Sequence, residues 1–188
     1  MSYLNTKKVL LLGDSIRMYY QNEAIRLLGE EYTVWTPEEN CRFAKYTLNS
    51  LRFWLPLFPE PDIIHWNNGL WDIKRLYDEP DSFTTVSEYL RDLERIRKVL
   101  NKTGAKIIFA TSTPVKPGMD GFDNDTIQRY NQAAAEMIRQ NEIVVNDLFS
   151  VVYPHTEDYI GEDLLHLSEA GKTACGSAVA KVIKENKK

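Results

Sequence analysis

The feature that most constrains this chain is an alternation of short apolar runs with longer amphipathic stretches, repeated from one end to the other. Val9-Leu10-Leu11-Leu12 is unbroken and stopped by Gly13, the pattern of a strand buried on both faces. Residues from about 16 to 28 read as a helix closed by Gly29, a residue type that suits a helix C-terminus. Residues 32–35 form a second short strand. Leu48, Leu51 and Leu55 then recur at helical spacing until Pro56, Pro59 and Pro61 break the chain. Ile63-Ile64-His65-Trp66 predicts a third strand, ending in Asn67-Asn68-Gly69. A helical stripe (Tyr89, Leu90, Leu93, Ile96, Val99, Leu100) marks residues 86–100, Gly104 ends it, and residues 106–111 predict the fourth strand. Residues 125–139 are again amphipathic, and Ile143-Val144-Val145 is the fifth strand. Ser168 suits the N-cap of a last helix running to about residue 184. Gly171 at its third position rules out a capping box.

Strands separated by helices of this length need crossover connections, and so a parallel sheet. The expected fold class is α/β: a three-layer, doubly wound, flavodoxin-like domain with a five-stranded parallel sheet flanked by helices. One domain accounts for residues 1–188. Its ligand site is expected at the carboxyl ends of the strands, near the point where the strand order reverses.

Composition narrows the function classes. The chain is 43% hydrophobic and 27% charged, which argues against disorder. A net charge of −4 advertises no basic face for nucleic acid. No run approaches the ~18 apolar residues of a membrane span. Met1 to Lys8 lacks the basic, apolar and small-residue segments of a leader, so a cytoplasmic location is expected. Cys41 and Cys175 stand far apart and read as reduced thiols. No metal-ligand spacing or phosphate-binding glycine loop is present, and neither a metal nor a cofactor is expected. Oligomeric state is left open.

Polar residues at the expected strand ends carry the chemistry. Gly13-Asp14-Ser15 follows the first strand and opens the first helix. A serine there projects into the crevice, where the helix N-terminus offers free N–H groups and positive potential to an oxyanion. The competing account is that Asp14 or Ser15 only caps the helix. Near the other end stands Asp163-Leu164-Leu165-His166. A serine nucleophile needs a base, imidazole serves near neutral pH, and a carboxylate fixes its tautomer. At the third strand end, Asn67 and Asn68 either donate side-chain N–H groups to an oxyanion or form a turn. The Thr36–Arg42 stretch, with Asn40 and Cys41, lies on the same edge and offers further backbone donors.

These two motifs, at opposite ends of an alternating chain and in this order, resemble the SGNH or GDSL-type hydrolase superfamily over nearly the full length. The resemblance implies Ser15 as nucleophile, His166 as general base, Asp163 as its orienter, and the Ser15 N–H in the oxyanion hole. The middle motifs depart from the usual pattern. Glu39-Asn40-Cys41-Arg42 lacks the expected glycine, and Gly69-Leu70-Trp71-Asp72 has tryptophan where asparagine is usual. The run Asn67-x-Gly69-Leu70-x-Asp72 looks more like a branch in which asparagine precedes the glycine. Asn67 is therefore favoured as oxyanion donor, with Asn68 second and the N–H of Cys41 or Asn40 as partner.

Other residues read more plainly. His65 is expected in the core and His155 on the surface, while Cys41 is expected as a neutral thiol rather than a nucleophile. Asp14, Arg17 and Trp71 are candidates for the substrate pocket. For Arg17 a solvated helix position stands equal, and Trp54, Trp66 and Trp71 divide between pocket and core. Residues 117–124 form a lid or an ordinary mobile loop. The expected function is hydrolysis of small acyl esters through an acyl-enzyme, with carbohydrate O-acetyl esters as one substrate class. The alternatives are a lipid-like esterase or thioesterase and, from another class, a non-catalytic glycan- or protein-binding module on a degenerate hydrolase fold.

Overall fold

The computed structural model describes residues 6–77 and 79–187; the expectation for Met1 to Asn5 lies outside them. In chain order the elements are β1 (Lys7–Leu12), α1 (Ser15–Leu28), β2 (Tyr32–Trp35), α2 (Ala44–Trp54), β3 (Ile63–Trp66), α3 (Leu70–Ile73), α4 (Val86–Asn101), β4 (Lys106–Ala110), α5 (Asn124–Arg139), β5 (Val144–Asn146), α6 (Leu148–Val152), α7 (Thr156–Tyr159) and α8 (Glu169–Glu185). The sheet has five strands in the order β2-β1-β3-β4-β5, and every pairing is parallel. The fold is the doubly wound α/β architecture expected.

Burial explains the strand choices. Val9 to Leu12 are all solvent-inaccessible. Each such side chain contributes roughly 1.5–3 kcal/mol through removal from water, which outweighs any local preference of a leucine run for helix. Trp66 and Phe109, equally buried, meet edge to face with centroids 5.0 Å apart between neighbouring strands. Helices α1 and α8 pack together, while α2, α4 and α5 form the other group.

After β2 the chain crosses back over β1 to β3, so the strand order reverses between β1 and β3. Leu12 pairs with Trp66 at the carboxyl ends of these two strands. Gly13-Asp14-Ser15 and Asn67-Asn68-Gly69 therefore leave the sheet side by side, bordering the crevice where ligands of open α/β sheets bind.

Several boundaries differ from expectation for local reasons. Thr85 and Glu88 form a capping box at the start of α4, and Asp123 caps α5 by accepting from the Thr126 N–H at 2.7 Å. Asn67-Asn68-Gly69 leads into the short helix α3. Ser168 caps α8 through the Gly171 N–H, as expected. His65 is fully buried, with Nε2 3.1 Å from the Asn146 amide. No described helix is long and apolar enough to cross a membrane.

Candidate active site

The two jobs that the sequence left open at Gly13-Asp14-Ser15 fall to different residues. Asp14 Oδ1 accepts from the Ile16 N–H at 3.0 Å and caps α1. Ser15 Oγ lies 2.9 Å from His166 Nε2. As the first residue of α1, Ser15 has no intrahelical acceptor for its own N–H. Gly13 is required here for space. A Cβ on it would stand 2.0 Å from Asn67 Oδ1 and 2.7 Å from the Arg17 Cβ.

His166 is presented by a turn that closes on itself. Its Nδ1 is 2.6 Å from Asp163 Oδ2. The other oxygen of Asp163 accepts from the backbone N–H groups of Leu165 at 3.1 Å and His166 at 2.9 Å. Leu164 takes a left-handed conformation, φ 67°, and Ile160 bridges to Leu167. Partial desolvation pushes the Asp163 carboxyl up, but the hydrogen bonds from the His166 ring and the two N–H groups outweigh it and hold the pKa below the usual range. A proton on Nδ1 directed at this carboxylate leaves Nε2 free to accept from the Ser15 hydroxyl. Tyr19 stacks on the imidazole, with centroids 4.7 Å apart and planes 10° from parallel.

The loop between β2 and α2 is pinned from two sides. Cys41 donates its N–H to the Gly13 carbonyl at 3.1 Å, and its sulfur accepts from the Gly13 N–H at 3.3 Å. Arg17 donates to the carbonyls of Gly13 at 3.3 Å, Pro37 at 3.0 Å and Glu39 at 2.8 Å, and also to Thr36. These contacts fix Asn40 on the wall of the cavity that contains Ser15 and His166.

Four sequence expectations are corrected. Asn68 cannot serve an oxyanion. It is solvent-inaccessible, its amide donates to Arg42 O and Thr47 Oγ1, and its oxygen accepts from the Trp66 indole. The Cys41 N–H is already spent on Gly13. Asp14 is fully buried beneath the pocket rather than in it; burial raises its pKa, against the Ile16 hydrogen bond and the nearby Asn67 amide. Arg17 is 1% exposed and braces the loop; lying two residues past Ser15, it stands on the far side of the helix. Cys41, as expected, is a neutral thiol, with burial pushing its pKa up to about 11.

Of the other candidates, Asn67 is 3% exposed beside Gly13, and its side chain hydrogen-bonds to the Asp14 carboxyl. Trp71 is half-exposed and lines the cavity, whereas Trp54 and Trp66 are core residues. The cavity measures about 350 Å³ and is walled mainly by Phe43, Leu70, Leu76, Phe83, Phe122 and Leu165. Sequence reasoning missed most of these walls. Phe122 belongs to the segment read as a lid or loop.

One buried carboxylate organises the walls. Asp72 accepts from the Ala44 N–H at 2.9 Å, and its carbonyl accepts from the Thr84 N–H at 2.9 Å. Phe43, Trp71 and Phe83, each adjacent to one of these residues, are thereby drawn together. Burial pushes the Asp72 pKa up to about 7, despite hydrogen bonds from Ala44 and Thr84.

Comparison with known proteins gives no matching family model and no matching curated protein, but many solved structures share the architecture. A lipase/acylhydrolase from Enterococcus faecalis superposes with a TM-score of 0.80 at 22% identity, over 97% of this chain and 98% of that one. This chain shares its fold with that acylhydrolase. An acetylxylan esterase from Geobacillus stearothermophilus matches with a TM-score of 0.77 at 17% identity, over 94% of each chain. A GDSL-like lipase from Bacteroides thetaiotaomicron gives 0.73 at 14%, over 95% of this chain and 88% of that one.

Proposed function

We propose that this chain is a serine ester hydrolase acting through an acyl-enzyme. The observation that carries the proposal is the continuous relay from Ser15 Oγ to His166 Nε2 at 2.9 Å and from His166 Nδ1 to Asp163 at 2.6 Å, set at the sheet's switch point. His166 takes the hydroxyl proton as Ser15 attacks the ester carbonyl, and returns it to the leaving alcohol as the tetrahedral intermediate collapses. Water then hydrolyses the acyl-enzyme by the same proton route. The Ser15 N–H, the Asn67 amide and the Asn40 N–H are the oxyanion donors in this scheme.

Two substrate readings have specific support. The apolar walls favour an ester with an apolar acyl or alcohol chain, such as a lipid-like ester. A carbohydrate O-acetyl ester is favoured by the half-exposed Trp71 at the cavity and by the acetylxylan esterase among the fold's relatives. Rates on para-nitrophenyl esters of increasing chain length, set against acetate release from acetylated xylan, separate the two.

Ser15→Ala should lower turnover of a para-nitrophenyl ester by at least ~10³-fold and abolish labelling by a fluorophosphonate. Asn67→Ala should cost about 100–1,000-fold in kcat. Undiminished hydrolysis by Ser15→Ala would sink the assignment. A wild-type protein that neither labels nor turns over any ester would favour the non-catalytic binding module instead.

A further inference from the structure

One side chain of the cavity does not fit an apolar occupant. Lys74, just past the end of α3, lines the same space as Ser15 and His166. Its stem is held in place. A Cβ on Gly121 would come within 3.2 Å of Lys74 Cγ, 3.3 Å of Lys74 Cε and 2.6 Å of the Arg75 carbonyl. Gly121 has φ +76°, a conformation that favours glycine, so the bare backbone there forms a seat for the lysine methylenes.

Among the described residues the ammonium has no partner. Other lysines around the site are paired: Lys116 with Glu157 at 3.8 Å and Lys172 with Glu169 at 2.6 Å. Lys74 makes no ion pair or side-chain hydrogen bond among the described residues, and no acidic side chain lines the cavity. A cation on a mostly apolar wall without an acidic side chain favours an anionic group over a neutral one.

We infer that the site takes esters in which the enclosed chain is apolar and carries an anionic group beyond that apolar stretch, with Lys74 as its partner. This rests on the ester-hydrolase reading and narrows its substrate class. The anion can belong to the acyl or the alcohol part, and matched probes distinguish them. For the acyl part the pair is para-nitrophenyl hexanoate and mono-para-nitrophenyl adipate. For the alcohol part it is para-propylphenyl acetate and para-acetoxyphenylpropanoate.

The anionic member of at least one pair should be preferred about tenfold in kcat/KM, mainly through KM. Lys74→Met keeps the apolar stem and should bring that ratio to about one, and Lys74→Glu should invert it. Ser15-dependent hydrolysis of the neutral esters, with no anionic preference in either pair or with a preference that survives Lys74→Met, overturns the inference and leaves the esterase reading intact. Failure of both neutral and anionic esters, or turnover that survives Ser15→Ala, overturns the two together.

Discussion

The imidazole of His166 is held by three neighbours of different kinds: the Asp163 carboxylate at Nδ1, the Ser15 hydroxyl at Nε2, and the Tyr19 ring across its face. Tyr19 is one helical turn past Ser15 on α1, so both side chains project from the same face. Lys172 of α8 lies 5.1 Å from the Tyr19 ring centroid, so the stack also leans on a second helix. Removing an aromatic stack costs about 0.5–1.5 kcal/mol. Tyr19→Ala should therefore lower kcat by roughly 3–10-fold with little change in KM, while Tyr19→Phe, which keeps the ring, should stay within about twofold of wild type. Steady-state kinetics check this; a loss in Tyr19→Phe equal to that in Tyr19→Ala would show that the hydroxyl, not the stack, matters. At this scale, legibility follows sequence distance. Asp163 and His166 are three residues apart and announce each other. Asn67 and Asn68 look alike in sequence because their fates are decided by Gly13, Arg42 and Thr47, which are remote along the chain.

Among the elements, the strands and long helices were legible because burial imposes a period on them: a continuous apolar run for β1 and a clear stripe for α4. The pieces that shape the cavity have no such period. The four-residue α3, the irregular stretches 74–77 and 79–85, and the Phe122 segment are placed by tertiary hydrogen bonds such as Arg75 N–H to Gly121 O at 2.9 Å and Phe83 N–H to Lys74 O at 2.9 Å. The β2–α2 loop belongs to this class, and Arg17 is its organiser. Its guanidinium is buried and surrounded by carbonyls. Arg17→Met would fill similar volume but leave the Gly13, Pro37 and Glu39 carbonyls without these donors. The expected cost is on the order of 3 kcal/mol, read as a Tm drop of roughly 6–12 °C for a domain of this size. Arg17→Lys should not restore stability, because one ammonium cannot span the carbonyls that the planar fork reaches. Thermal denaturation of both variants tests this, and a Tm within about 2 °C of wild type in Arg17→Met would reject the bracing role.

For the molecule as a whole, two buried groups, His65 on the central strand β3 and Asp72 on α3, set opposing pH dependences. Burial pushes the His65 pKa down to about 3, against about 6.5 in the unfolded chain. Below pH 6.5 the unfolded chain therefore takes up a proton that the folded protein refuses, and stability falls as pH falls from about 6.5 toward 3. Asp72 runs the other way. Its pKa is pushed up to about 7, against about 3.9 unfolded. Between those values the unfolded chain releases a proton that the folded protein retains, so stability falls as pH rises from about 4 to 7 and then levels off. These two contributions oppose each other between about pH 4 and 6.5. Asp72→Asn keeps an oxygen to accept the Ala44 N–H but removes the ionisation, so the Asp72 contribution drops out while those of His65 and Asp14 remain. The Tm difference between Asp72→Asn and wild type should then move in the variant's favour as pH rises from 4 to 7, by an amount equivalent to a few kcal/mol, and stay constant above pH 8. Comparing the difference at each pH removes any fixed effect of the substitution, so a difference that is flat across this range, or that moves against the variant, would show that Asp72 is not held protonated by its burial.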